Sequence, residues 1–183
     1  MKRTVKSKGR KAAWRSSIPK DMYDRVFDLS LAIVNATYRE DRREIRDTYR
    51  ELEDYYRQQE AAGRPHPFLP ETVADFTNAK SKAIKLYHAA LRLSRRMGEQ
   101  KHTIQLSLGR LYLEAGNRRA ARRWLLAARR DAGRHKDADD ATEADKLLRE
   151  ASGQPNPRFE RTGRRTVRHR KAARAAGRST AGR

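Results

Sequence analysis

Cysteine is absent from the 183 residues. That excludes a disulfide scaffold, a thiol nucleophile and the cysteine-based structural zinc sites. Long apolar runs are missing as well. No stretch approaches the ~18–20 apolar residues that span a bilayer, and 37% of the chain is charged. The first twenty residues hold a basic cluster without the ~7–15-residue apolar core of a secretory leader. A cytoplasmic protein with no membrane partner is therefore expected. Acid is scarce beside base: 23 Asp and Glu against 44 Lys and Arg leave a formal charge of +21.

The excess of base is concentrated at the two ends. Seventeen of the basic residues and a single acid, Glu160, fall within 1–17 and 158–183. Both stretches lack apolar periodicity and cannot bury enough surface to offset chain entropy, so both are expected to be disordered basic arms. The segment Ser152-Gly153-Gln154-Pro155-Asn156-Pro157 separates the second arm from the body. The expected organisation is an arm at 1–17, a helical domain at 18–152 and a tail at 153–183.

Between Ile18 and Ser152 apolar residues recur at three and four, with no period-2 alternation and no hairpin turn signal. The spacing predicts seven helices. The first follows Ser16-Ser17-Ile18-Pro19, with a serine as cap and Pro19 in the first turn, and reaches Tyr38 with Met22, Val26, Leu29, Ile33 and Ala36 on one face. The others are expected at about 41–61, 70–77 (opened by Pro70), 78–97 (ended by Gly98), 101–115 (ended by Gly116-Asn117), 118–132 (ended by Gly133) and 139–151 (capped by Asp139 or Asp140). Short helices joined by tight turns fold back and stack, so the fold class is all-α, a short helical-hairpin solenoid.

Two helices repeat each other at an offset of 38: Ala83, Tyr87 and Ala90 correspond to Ala121, Leu125 and Ala128. Small, large and small residues at n, n+4 and n+7 suit a close helix crossing. In 102–135 the run Leu108-Gly109-Arg110-Leu111-Tyr112, the turn glycine Gly116 and the triplet Ala121, Leu125, Ala128 together resemble the tetratricopeptide repeat (TPR). Gln105 stands where that family often has Trp, and no proline closes the repeat. A partial repeat covers 69–98, and the helix at 139–151 takes the place of the solvating cap such arrays need. The resemblance implies a structural core of Leu108, Gly109, Tyr112, Ala121, Leu125 and Ala128. Where the family's acidic-tail clamp uses asparagines, this repeat has Ser107 and Arg110, so that clamp is not expected.

Catalytic patterns are missing. The chain has no His-Glu-x-x-His, no phosphate-binding glycine loop, no dinucleotide fingerprint and no nucleophile elbow. The five histidines, His66, His88, His102, His135 and His169, show no metal-ligand spacing on one helix. A calcium loop starting at Asp137 would need Gly and Glu where Thr142 and Leu148 stand, so Asp137, Asp139 and Asp140 are read as helix-capping acids. Glu71 and Asp75 are read as dipole partners rather than an acid/base pair. No catalytic residue, metal or cofactor is expected.

What remains is base. The helix at 118–132 carries Arg119, Arg122, Arg123 and Arg130 opposite its apolar stripe, with Trp124 expected in a helix seam. The arms carry Lys6, Lys8, Arg10 and Lys11, then Arg164, Arg165, Arg168, Arg170 and Lys171. These thirteen side chains are the candidate polyanion contacts; a merely solvated face is the competing reading. The expectation is a non-enzymatic protein–protein interaction module, a scaffold or adaptor with polyanion-attracting arms. The partner protein is unidentified from sequence. The alternative is a basic protein that associates weakly with RNA or DNA without sequence preference.

Overall fold

The computed structural model describes residues 18–153, and the expected arms lie outside that range. The described residues form seven helices and no strand. α1 spans Lys20–Tyr38 behind Pro19 (φ −55°), without a side-chain cap. The serines expected to cap it, Ser16 and Ser17, lie outside the described residues. α2 spans Arg42–Ala61, and the Asp41 carboxylate accepts from the backbone N–H groups of Arg43 and Glu44, both at 3.0 Å. Opposite charges pair along its exposed side, as in Arg43–Asp47 (3.7 Å) and Arg50–Asp47 (3.6 Å).

α3 spans Phe68–Asp75, two residues earlier than the proline at 70 suggests. Pro70 is its third residue rather than its first. A proline is tolerated there because the first-turn N–H groups have no helical acceptor. α4 spans Lys80–Met97, starting two residues late after Ala79 and ending at Gly98 with φ 70°. α5 spans His102–Glu114 and α6 Arg118–His135, with Asn117 capping α6 by accepting from Ala120 N–H at 3.0 Å. α6 does not stop at Gly133. It continues a further turn and closes on Lys136 in the left-handed region, φ 60°, with Asp137 N–H donating to the Ala132 carbonyl at 3.0 Å. A helical glycine costs only about 1 kcal/mol, and the αL closure at Lys136 satisfies the terminal carbonyls instead. α7 spans Ala138–Ala151. Its cap is Asp137, accepting from Asp140 N–H at 3.0 Å, not Asp139 or Asp140.

Sequential helices fold back on each other, and three apolar clusters run down the array. Met22, Val26, Leu29 and Ile33 of α1 meet Leu52 of α2 and Leu69 and Val73 of α3. Ala74 of α3, with Ala83, Tyr87, Ala90 and Leu91 of α4, meets Ile104 and Leu108 of α5. Leu106 of α5, Ala121, Leu125 and Ala128 of α6, and Ala144, Leu147 and Ala151 of α7 form the third. All five expected inward positions of α1 are buried. In α2 only Leu52 is, with Ile45, Tyr49 and Tyr56 half-buried against the cluster. Leu108, Gly109, Ala121, Leu125 and Ala128 are buried as expected, while Tyr112, placed in the same core, is half-buried. Trp124 is half-buried in the expected seam, its ring 5.4 Å from that of His88.

Candidate functional site

α1 carries two apolar stripes. The buried one is Met22, Val26, Leu29, Ile33 and Ala36; the second is Tyr23, Phe27, Leu31, Val34 and Tyr38, all exposed, up to 85% at Tyr38. At 100° per residue the second stripe is centred about 140° from the first and runs about 22 Å along the helix. Such side chains expose together on the order of 500 Å² of apolar area, the size of a functional patch. Asp24 and Asp28 line one edge, with Lys20 bonded to Asp24; Arg25 turns away to pair with Glu51 of α2. Sequence reasoning assigned α1 one face and passed over this second stripe, although its 4, 4, 3, 4 spacing is written in the sequence.

On α6, Arg119, Arg122, Arg123 and Arg130 are all exposed and make no ion pair among the described residues. Their neighbours Arg129 and Arg134 are engaged, by Asp145 at 3.0 Å and Asp131 at 3.1 Å. The Arg123 guanidinium lies 5.6 Å from the Trp124 ring centre. Burial, and then the charges of Arg92, Arg95 and Arg123, hold the His88 imidazole below its usual pKa, so the basic surface continues from α6 onto α4. The arm candidates Lys6, Lys8, Arg10, Lys11, Arg164, Arg165, Arg168, Arg170 and Lys171 lie outside the described residues.

A third region was not anticipated. A cavity of about 320 Å³ opens where α3, α5 and the α6–α7 turn meet, lined among others by His66, Glu71, Ser94, His102, Asp137 and Asp140. His102 is 3% exposed, and its Nε2 lies 3.3 Å from Asp137 Oδ2 and 3.5 Å from Asp140 Oδ2. His66 Nδ1 accepts from Phe68 N–H at 3.2 Å, so Nε2 carries the proton and has no partner. Burial keeps that ring below its usual pKa and neutral. Ser94 Oγ, His102 Nδ1 and Asp140 Oδ2 are likewise buried without hydrogen-bond partners among the described residues. Burial raises the Glu71 carboxyl to about 7, although Thr103 Oγ1 donates to it at 2.8 Å. Glu71 is thus more than a first-turn acid. No pattern search in one helix could find this cluster, because its members come from separate elements.

Compared with protein-family models, curated sequences and solved structures, the chain matches none.

Proposed function

We propose that the chain is a non-enzymatic protein-interaction module, a TPR-like array whose docking face is the outer stripe of α1. The carrying observation is that the two ends of the array differ. α7 turns Asp139, Thr142, Lys146 and Arg149 outward, as a solvating cap does, whereas α1 turns out Tyr23, Phe27, Leu31, Val34 and Tyr38. Among the described residues α1 packs chiefly on α2 and, less, on α3, and its outer face stands where a further helix would stack. The occupant this face fits is an amphipathic helix of a partner protein, with apolar residues at i, i+3/i+4 and i+7. The Asp24 and Asp28 edge favours basic residues on that helix's flank.

Selection of helix-forming peptides from a displayed library on the full chain tests this. Enriched peptides are expected to carry that apolar spacing and to lose binding to the Phe27→Glu/Leu31→Glu variant, whose helicity stays unchanged because both side chains are exposed. Equal binding to the variant refutes the reading. A concentration-dependent dimer abolished by the same pair would replace the partner helix with a second copy.

The arginine surface favours a second reading, attraction of a nucleic-acid backbone. Arg119, Arg122, Arg123 and Arg130 share one face and make no ion pair among the described residues, with Arg92 and Arg95 alongside. Such a surface neutralises phosphates without reading bases.

A further inference from the structure

We propose that His102, Asp137 and Asp140 form a binding site for a divalent transition-metal ion of the zinc class, clamping the α6–α7 turn to the start of α5. One ligand atom from each of the three lies within 4.8 Å of the others. The two separations from His102 Nε2, 3.3 and 3.5 Å, exceed a normal N–H···O hydrogen bond. They match the ligand–ligand edge of a tetrahedral site with bonds of 2.0–2.1 Å, which is about 3.3–3.4 Å.

Hydrogen bonding among the three does not account for the arrangement. A neutral imidazole has one proton to offer at Nε2, and two carboxylates face it. A doubly protonated ring still offers a single N–H at Nε2, and both carboxylate oxygens lie beyond normal hydrogen-bond length from it, at 3.3 and 3.5 Å. Arg110 contributes charge toward Asp140, but its guanidinium is engaged by Glu143 at 3.3 Å. A divalent ion balances the two carboxylates and takes the Nε2 lone pair.

The ligands are also oriented in advance. Asp137 spends Oδ1 on the α7 cap, accepting from Asp140 N–H at 3.0 Å, which leaves Oδ2 for the ion. Asp140 Oδ2 is buried and has no hydrogen-bond partner. The second sign of a ligand is the lining of the same cavity. His66 Nε2 and Ser94 Oγ, on residues 5% and 1% exposed, are aimed at no protein group. A water completing the coordination shell from the cavity side would give them a partner. An imidazole ligand selects zinc-class ions over magnesium and calcium, which prefer oxygen alone.

The test uses the full chain, stripped with a chelator and dialysed, then titrated with Zn²⁺ against a chromophoric chelator and with Co²⁺ by visible absorption. One ion per chain is expected, with the intense absorption of four-coordinate cobalt and a raised melting temperature. Asp137→Asn keeps the cap acceptor and Asp140→Asn leaves the fold's apolar contacts alone. Each is expected to weaken binding at least about tenfold. His88→Ala, away from the cluster, is expected to bind as the parent does. Absence of saturable one-to-one binding, or binding by both Asn variants equal to the parent's, overturns the proposal.

Discussion

At Gly109 α5 lies tight against Leu125 of α6: a Cβ built there would lie 2.5 Å from Leu125 Cδ2 and 2.6 Å from its Cγ. Alanine is the better helix former by about 1 kcal/mol, but the overlap outweighs it. Gly109→Ala is expected to destabilise the fold by about 1–3 kcal/mol, the range for overpacking, and Leu125→Ala by about 2–5 kcal/mol. The double variant is expected to cost less than the sum, because the new methyl occupies space the leucine vacated; additive losses in urea unfolding would refute the contact. Glu71 makes a second residue-scale prediction. Its carboxyl, raised by burial from 4.5 to about 7, keeps its proton in the folded chain after the unfolded chain has lost it. Its contribution is neutral below pH 4.5, and stability falls as pH rises through 7, by up to about 3 kcal/mol. In metal-free buffer Glu71→Gln is expected to raise the melting temperature at pH 8 and leave it unchanged at pH 4. An equal shift at both pH values would count against the buried carboxyl.

At the scale of the element, the stop and start signals were legible only in part. Gly98 and Gly116 end their helices as their positions suggest, with φ of 70° and 75°. Gly133 looks the same in the sequence but lies inside α6, because the left-handed closure falls on Lys136. The three aspartates before α7 show the same ambiguity. Any of them has cap chemistry, and only the backbone at Asp137 (φ −87°, ψ 95°) decides which one accepts. Asp137→Ala is expected to cost about 1 kcal/mol in metal-free buffer and Asp137→Asn close to nothing, measured by thermal unfolding. If Asn costs as much as Ala, the cap is not what that carboxylate supplies. The α1 stripe was legible in spacing yet passed over, since one inward face already satisfied the helix pattern.

For the whole molecule, the charge is the largest feature, with seventeen of the 44 Lys and Arg in the two terminal stretches. A nucleic-acid-binding role predicts that log affinity falls against log salt with a slope of about −4 to −8, at about −0.9 per phosphate neutralised. Replacing the arm Lys and Arg by Gln in the full chain is expected to flatten the slope to about −1 to −3, the share left to the α6 arginine face. An unchanged slope, or no binding at about 50 mM salt, would leave the arms as solubilising segments.

The sequence by itself determined the all-helical fold, the inward face of nearly every helix and the small–large–small crossing around Leu125. These follow from the 3.6-residue period, a local property that each segment carries alone. Tertiary structure decided the rest. It placed the first residue of α5 beside the turn before α7, so that His102, from a sequence distance of about 35 residues, meets Asp137 and Asp140. It also left the second stripe of α1 uncovered. Both depend on how helices stack, and the periodicity of one helix does not contain the position of the next.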